Sequence, residues 1–306
     1  MSRITIITVN FNQIRVTEDF LRSVLRNAPN EDIELILVDN GSSEDNEAYF
    51  KKIYSDVVYI RSDKNLGFAG GNNLGIRAAK GEYILLLNND TEITENMIPV
   101  LLNEMEVRPD IGLISPLILY YEDPKIIQYA GFTEMNYLTG RNRGIGNQEV
   151  DGGQYNLDSR ETGYCHGAAM MCRKKDLELA GLMSEDFFLY YEELDWCDKF
   201  KKIGKKIWFT GKSKIYHKES MSVGKESKIK TYFMTRNRML YIRRNTSLLN
   251  TIIFSIYYIC FACPKQIISY IFKKRLDLVK WVFKGVFWNL TNSKNSNKLG
   301  FKISGE

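Results

Sequence analysis

Amides, acids and glycines recur directly after the apolar runs in the first half of the chain. The clearest case is ILLLNNDTEI, residues 84–93, where apolar residues run straight into two amides and an acid. The residues in such positions are Asn10, Asn12, Asp39, Asn65, Gly67, Asn88, Asn89 and Asp90. Any one of these groups would suit a turn. If the apolar runs are strands of one sheet, however, polar groups after four of them predict a polar ligand site at one sheet edge.

A second polar cluster follows the aromatic segment FFLYYEELDWC, residues 187–197, which we expect to begin as a buried strand. Glu192, Glu193 and Asp195 fall within four positions, at the start of a predicted helix whose apolar stripe includes Trp196. Acids in a first helical turn commonly act as dipole partners, each contributing about 0.3–1 kcal/mol. Three acids are more than stabilisation of the helix dipole requires, so we expect at least one of them to act in catalysis.

The hydrophobic pattern predicts the elements that would position these groups. The predicted strands cover residues 4–9, 33–38, 57–60 and 83–87, and the predicted helices cover residues 17–27 and 74–79. Alternating strands and helices predict an α/β fold with a mostly parallel sheet flanked by helices. In such sheets ligands bind beyond the carboxyl ends of the strands, where the polar groups stand.

Composition indicates a globular protein in a reduced compartment. The 306 residues are 44% hydrophobic and 26% charged, an ordinary balance for one large domain or two small ones. The five cysteines show no disulfide framework, and Cys260 and Cys263 read as two small apolar residues on one helix face. Residues 3–11 are too short for the apolar core of a signal peptide and alternate like a strand.

The C-terminal part of the chain is basic and amphipathic. Residues 262–306 carry a net charge of +7, whereas the rest of the chain carries about −2. Residues 252–263 are apolar but shorter than the roughly 18–20 residues needed to span a membrane. Within 279–290, apolar residues recur at helical spacing with lysines off the stripe, a pattern typical of a helix in a membrane interface. We therefore predict a domain over 1–245 and a tail over 246–306 that contacts a membrane or packs on the domain or a partner subunit.

Seven segments, in this order and spacing, match one known family. They are TVNFN (8–12), VDNGSSED (38–45), NLGFAGGNNLGI (65–76), LLLNNDTEI (85–93), GYCHGAAMMCRKK (163–175), FFLYYEELDWC (187–197) and YHKES (216–220). Together they resemble the family 2 inverting glycosyltransferases of the GT-A fold, and most of all the rhamnosyltransferase branch. The resemblance covers about residues 1–245 and implies a GT-A-type sheet for that part of the chain.

The resemblance implies that the first polar groups bind a nucleotide-sugar donor. Asn10, Asn12 and Asp39 would face the nucleotide, with Asp39 accepting a hydrogen bond from a ring N–H of the base. Asn65 and Gly67 would lie against the ribose and diphosphate.

A divalent metal site is also implied by the resemblance. Asn88, Asn89 and Asp90 match the DxD-type motif, and His217 matches a late histidine that completes the site. Since Asn88 stands where the motif has its first acid, Asp90 is the residue of the motif that we expect to bind the metal. Mg²⁺ or Mn²⁺ held there would stabilise the charge that grows on the leaving diphosphate. Because the site would contain one acid among amides, we expect it to bind the metal weakly when the donor is absent.

The acids after the aromatic segment match the family's acceptor-side motif. Its second acid, here Glu193, would be the base that deprotonates the acceptor hydroxyl, with Asp195 as the alternative and Glu192 beside it. The aromatic residues before them would raise the carboxyl pKa toward the working pH. The acceptor residues would be His166, Gly167 and Trp196.

A glycine-rich segment, residues 140–155, is too irregular for a strand or a helix. It is either a mobile surface loop or a lid in which Arg141 or Arg143 reaches a phosphate.

The expected activity is transfer of a sugar from a nucleotide-sugar to a saccharide, in particular a lipid-linked one, in cell-surface polysaccharide synthesis. The resemblance favours dTDP-rhamnose as donor over UDP-galactofuranose or UDP-glucose, and places the protein at the cytoplasmic face of the bacterial inner membrane. The QxxRW motif of processive synthases is absent from the sequence, so we expect addition of one or a few sugars.

Two other classes of protein compete with this interpretation. A nucleotidyltransferase would need a glycine-rich, basic loop near the first strand, which VNFNQIR lacks. A non-enzymatic sugar- or lipid-binding protein would not need Asp90, Glu193, Asp195 and His217 together. Nucleic acid is not an expected partner, and homo-oligomerisation through the tail is left open.

Overall fold

The computed structural model describes residues 3–28, 32–218 and 226–303, and the predicted α/β fold is confirmed. The strands are β1 (Ile4–Asn10), β2 (Ile33–Asn40), β3 (Val58–Ser62), β4 (Tyr83–Leu87), β5 (Thr91–Ile93), β6 (Ile111–Tyr120), β7 (Ile127–Tyr129), β8 (Ser159–Glu161), β9 (Ala169–Arg173) and β10 (Lys206–His217). The α-helices are α1 (Ile14–Asn27), α2 (Glu47–Ile53), α3 (Gly67–Ala78), α4 (Met97–Val107), α5 (Leu177–Ala180), α6 (Glu192–Lys202), α7 (Lys228–Asn245), α8 (Leu248–Tyr257), α9 (Cys263–Phe272) and α10 (Leu276–Thr291).

The central sheet is parallel in its first half and mixed beyond it. The strand order is β3-β2-β1-β4-β9-β6-β10-β5, with β7 paired to β6 and β8 to β10. Strands β3, β2, β1 and β4 are all parallel, whereas β9 runs antiparallel to both of its neighbours. The carboxyl ends of β1, β2 and β4 therefore meet at one edge, as the sequence predicts.

Helix α3 begins earlier than the apolar spacing predicts. It starts at Gly67 rather than near residue 74, so the glycine-rich segment forms its first turns. A Cβ on Gly75 would lie only 2.4 Å from Ile7 Cγ2, which shows that this glycine lets α3 pack closely on β1. Because glycine has no side chain, apolar periodicity cannot report such packing.

Residues 188–191 form a loop after a 3-10 turn, Glu185–Phe187, and the predicted buried strand is wrong here. Phe188, Tyr190 and Tyr191 have positive φ angles of 64°, 69° and 76°. Three residues in this left-handed region cannot continue an extended strand. Helix α6 follows the loop, as predicted, and starts at Glu192.

The C-terminal helices pack against α7. Val282 and Trp288 of α10 are buried in the same hydrophobic cluster as Met239 of α7, so one face of α10 packs on the domain. Its other face remains open, because Phe283 and Phe287 are 61% and 65% exposed. The domain boundary at residue 245 stays a prediction.

Helices α8 and α9 are joined by a π-helical turn, Tyr258–Ala262, into one continuous helix. This helix, Leu248–Phe272, has 25 residues; its most apolar stretch of 18 residues has a mean hydropathy of 1.5 and is 17% buried. By length and composition alone it could cross a membrane. The prediction of a segment too short to span is therefore wrong, because the helix continues beyond the apolar core on both sides.

Candidate active site

Buried amides tie together the ends of β1, β2 and β4. Asn10 accepts a hydrogen bond from Thr17 Oγ1 at 3.0 Å and donates to Asp39 Oδ2 at 3.2 Å. Asn89 donates to the same Thr17 hydroxyl at 2.9 Å. Asn12 lies in the turn after β1, and its side chain is bonded to the turn after β2. Since Asn10 and Asp39 are fully buried, these two residues support the sheet edge from beneath.

Asn40, at the end of β2, organises the next part of this edge and was missed by sequence reasoning. Its Nδ2 donates to Asn65 Oδ1 at 3.1 Å and to Gly67 O at 3.0 Å, and its Oδ1 accepts from Leu66 N at 3.0 Å. Gly67 has a φ of 73°, and a Cβ there would lie 2.2 Å from Phe188 O. Gly67 therefore joins the start of α3 to the aromatic loop. The signal in the sequence was the position of Asn40 directly after Asp39.

Asp90 and His217 meet because β5 pairs antiparallel with β10, which places Thr91 opposite His217. His217 Nε2 lies 3.1 Å from Asp90 Oδ1, and both side chains are buried. His217 Nδ1 lies 2.8 Å from Gln128 Oε1. An amide oxygen only accepts, so Nδ1 donates to Gln128, and Nε2 is the ring nitrogen that faces the Asp90 carboxylate.

This pair fits a divalent cation. Asp90 Oδ1 is buried and has no hydrogen bond within the described residues. A carboxylate oxygen and an imidazole nitrogen side by side are ligands that Mn²⁺ and Mg²⁺ accept. No group of three or more His, Cys, Asp or Glu side chains that could hold a metal occurs in the described part of the chain. Further ligands would have to come from a bound molecule. The motif's last residues, 219 and 220, lie outside the described residues.

Two cavities meet above the sheet edge. The Asp90 cavity, of about 440 Å³, is lined by Val9, Phe11, Asn40, Asn65, Gly67, Phe68, Asn88, Asn89, Asp90, Gln128, His166, Phe188, Leu189, Tyr190, His217, Ile229 and Lys230. The Glu193 cavity, of about 580 Å³, is lined by Phe68, Asn88, Phe132, Gly140, Arg141, Asn142, Cys165, His166, Gly167, Ala168, Leu189, Tyr190, Tyr191, Glu192, Glu193, Leu194, Met234 and Arg238. Because they share Asn88, His166 and Tyr190 among other residues, two ligands could meet at this boundary.

Two glutamates of α6 line the Glu193 cavity. Glu192 is 2% exposed, and its Oε2 has no hydrogen bond within the described residues. Burial, and next the charge of Glu193, raise the pKa of Glu192 well above its ordinary value. Burial also raises the pKa of Glu193. Two adjacent acids that hold protons more tightly than usual are suited to proton transfer near neutral pH.

Glu192→Gln should make the protein more stable relative to wild type at pH 8 than at pH 5. A raised pKa means that the folded protein holds this proton more tightly than the unfolded chain, so wild-type stability falls as pH rises through the raised pKa. Glutamine cannot ionise, so the advantage of the variant over wild type should be larger at pH 8 than at pH 5. Urea unfolding at both pH values measures it, with the exposed Glu161→Gln as control. An advantage independent of pH would contradict the assignment.

The structure does not bring Asp195 and Trp196 to either cavity. Asp195 Oδ2 accepts from Ser184 Oγ at 2.7 Å, and its Oδ1 accepts from Asn245 Nδ2 at 2.9 Å. Trp196 is fully buried and donates from Nε1 to Gly181 O at 3.0 Å. One helix start cannot point all of its side chains in one direction, and these two point into the protein. They hold α6 in place.

His166, by contrast, lines both cavities, and Gly167 lines the Glu193 cavity. Ala168 N donates to His166 Nδ1 at 3.1 Å, so Nε2 carries the proton and is a hydrogen-bond donor. Burial, and to a lesser degree His217, lower the pKa of His166 to about 3. A Cβ on Gly167 would lie 3.9 Å from Glu193 Cγ. Gly167, a predicted acceptor residue, and Glu193, the predicted base, are therefore neighbours.

Asn237 of α7 is a further residue that sequence reasoning missed. Its Nδ2 lies 2.9 Å from Phe187 O, 2.8 Å from Leu189 O and 2.9 Å from Tyr190 O. This fully buried amide holds the left-handed loop that ends at Glu192. The signal was present in TRNRM, residues 235–239, where polar residues stand between the apolar runs 232–234 and 239–242.

The segment 140–155 is irregular, as predicted, with isolated bridges instead of strands. Arg141 lines the Glu193 cavity, whereas Arg143 does not line it. The backbone of Arg143 is instead paired with Thr133. Motion of this segment as a lid stays a prediction.

A comparison with protein families identifies the family of the chain. Residues 5–179 match the model of Glycosyl transferase family 2. This match covers more than half of the chain, so the chain belongs to glycosyl transferase family 2. The family resemblance is confirmed, whereas the rhamnosyltransferase branch rests on one distant relative.

Two relatives and one solved structure illustrate the similarity. The low-salt glycan biosynthesis hexosyltransferase Agl10 of Haloferax volcanii is 30% identical over 68% of this chain and 66% of its own length. The N-acetylglucosaminyl-diphospho-decaprenol L-rhamnosyltransferase of Mycobacterium tuberculosis is 23% identical over 72% of this chain and 78% of its own length. The mannosyltransferase PcManGT of Pyrobaculum calidifontis, solved with GDP-Man and Mn²⁺, has a TM-score of 0.57 at 12% identity, over 94% of this chain and 87% of its own. This structural likeness confirms the GT-A fold. The chain spans just under two thirds of the Haloferax protein.

Proposed function

We propose that the protein transfers a sugar from a nucleotide-sugar donor to a saccharide acceptor, with inversion at the anomeric carbon. One observation supports this most strongly. A cavity lined by the adjacent Asp90 and His217 meets, at His166, a cavity lined by Glu192 and Glu193. The favoured donor is dTDP-rhamnose, which agrees with the distant mycobacterial relative. The alternatives are UDP-galactofuranose and UDP-glucose.

The donor would occupy the Asp90 cavity. Asn40 and Asn65 present amide groups at its floor, and the Phe11 ring is available to stack on a base. Asp90 and His217 would hold Mg²⁺ or Mn²⁺, which when bound supplies positive charge to the diphosphate oxygens. Gln128 orients His217 for that role through the 2.8 Å contact to Nδ1.

The acceptor saccharide would occupy the Glu193 cavity. An inverting transfer needs a base on the face of the sugar opposite the leaving group, and Glu193 lies across the cavity boundary from Asp90. The carboxylate takes the proton of the acceptor hydroxyl as that oxygen attacks the anomeric carbon. His166 can donate from Nε2 to a sugar oxygen at the boundary. Glu192, held protonated by its burial, leaves Glu193 as the ionised member of the pair.

We also propose that the protein lies peripherally on the cytoplasmic membrane surface, with its acceptor linked to a lipid. The helix Leu248–Phe272 packs one side on α7 and directs Lys265 toward the domain, which disfavours a spanning role. The apolar side chains exposed on it and on α10 are Leu248, Leu249, Ile252, Ile253, Ile256, Ile259, Phe261, Ile268, Ile271, Phe272, Leu276, Phe283, Phe287 and Leu290. Such a surface suits insertion at the level of the lipid head groups.

Replacing Phe272, Phe283 and Phe287 together with Ser should weaken binding to anionic lipid vesicles by more than tenfold. These rings are 84%, 61% and 65% exposed, and burying each contributes about 1.5–3 kcal/mol. Vesicle flotation measures the change, and higher salt should weaken wild-type binding through the basic residues. The matched control replaces the exposed Val107, Leu157 and Leu179 with Ser. Equal flotation of both triple variants would show that the tail is not the anchor.

The proposed function is tested by a survey of nucleotide-sugars. Nucleotide release should occur from one of them in Mn²⁺ and should fall to background in EDTA. Turnover of a nucleoside triphosphate in place of every nucleotide-sugar would favour the nucleotidyltransferase class instead. Stable binding of a saccharide with no turnover of any donor would favour a sugar-binding protein.

A further inference from the structure

A third cavity lies between α7 and the helix Leu248–Phe272. This cavity, the basic cavity, has a volume of about 460 Å³. Its lining residues include five cations and one acid, namely Arg141, Lys230, Arg238, Lys265, Lys273 and Glu226. Polar side chains of α9, including Gln266 and Tyr270, complete the wall.

The positive charge of this cavity is only partly neutralised by the protein. Lys273 forms an ion pair with Glu226. Arg141, Lys230 and Lys265 form no ion pair with any carboxylate of the described residues. Four of the five cations that line the cavity have no ion pair among the described residues, and such cations bind phosphate groups favourably. The cavity therefore has the charge of a phosphate site.

The position of the basic cavity connects the acceptor side to the membrane-facing helix. Arg141, Met234 and Arg238 line both this cavity and the Glu193 cavity. Arg238 is fixed there because its Nε donates to Tyr191 Oη at 2.7 Å. On the far wall, Lys265 of α9 lines the cavity, and the apolar side chains of Ile268 and Ile271 on the same helix are exposed.

We infer that the basic cavity binds the diphosphate of a lipid carrier whose saccharide enters the Glu193 cavity. The inference rests on the proposed function and names the acceptor class for it. The cations contact the phosphate oxygens, and the hydrocarbon chain leaves along the apolar side of α9. A saccharide attached to the diphosphate then lies past Arg141 and Arg238, directed toward Glu193.

Equilibrium binding of radiolabelled farnesyl diphosphate tests this inference. The measurement is made in EDTA, which removes the metal from the Asp90 cavity. The double variant Arg141→Ala/Lys265→Ala should bind at least about tenfold more weakly, since each lost charge-assisted contact is large. Both side chains are exposed, so the fold should persist. Lys175→Ala, an exposed lysine on the other side of the domain, is the matched control and should bind like wild type.

Two further ligands separate the contribution of the diphosphate from that of the hydrocarbon chain. Farnesol lacks phosphate and should bind much more weakly than farnesyl diphosphate. Inorganic pyrophosphate should also bind more weakly, and equal affinity would assign the cavity to a free diphosphate and overturn the lipid assignment. Equal binding of farnesyl diphosphate by wild type and the double variant would overturn the assignment of the basic cavity as the diphosphate site. Donor turnover, measured separately in Mn²⁺, shows whether the proposed function survives that result.

Discussion

Glu193→Gln should lower kcat by about 10²-fold or more while nucleotide affinity stays nearly unchanged. Glutamine keeps the shape and hydrogen-bonding capacity of the side chain but cannot take a proton. Glu193 lines the acceptor-side cavity, and a Cβ on Gly167 would lie 3.9 Å from its Cγ, so the loss should concern acceptor chemistry alone. Acceptor-dependent turnover measures the effect, with nucleotide binding as the internal control.

The matched variant is Asp195→Asn on the same helix. Asp195 is bonded to Ser184 and Asn245 and lies away from the cavities, so its loss should act mildly, through the position of α6. Near-normal turnover in Glu193→Gln with collapse in Asp195→Asn would move the base to Asp195. Wild-type activity should also fall on acidification at a pH above the ordinary glutamate pKa, because burial raises the pKa of Glu193.

Asp90→Ala should remove most of the Mn²⁺-dependent turnover, by about 10²-fold or more, since charge stabilisation by a metal is worth several kcal/mol. The fold should remain intact. The Asp90 backbone oxygen accepts a hydrogen bond at 2.8 Å from Lys218 N, just after β10, and alanine keeps this bond. Gln128→Leu should reduce turnover less, by about 10–100-fold, because it only frees the orientation of His217. Wild-type activity in EDTA equal to that in Mn²⁺ would reject the metal site.

The strand ends show how far local sequence pattern reaches. β-branched runs predict β1, β2 and β4, and parallel pairing then necessarily places Asn10, Asp39 and Asn88 at one edge. Which of these side chains face a ligand does not follow from spacing. Asn10 and Asp39 satisfy each other beneath the edge, whereas Asn40, one position further, lines the Asp90 cavity.

Other features depend on contacts between distant segments, which no local pattern reports. The aromatic segment reads as a strand, yet three of its residues have positive φ because Asn237, about fifty positions away, binds the loop carbonyls. Likewise, Asp90 and His217 become neighbours only through the pairing of β5 with β10. Family resemblance suggested that pair, whereas hydrophobic periodicity could not.

The anomeric configuration of the product tests the central claim most directly. With the donor found in the nucleotide-sugar survey, ¹H NMR during the first turnovers distinguishes the two anomers of the transferred sugar. An inverting enzyme with Glu193 as base gives the anomer opposite to that of the donor, and Glu193→Gln suppresses its formation. A product with the donor's own configuration would contradict a single displacement assisted by Glu193, and with it the assignment of the two cavities.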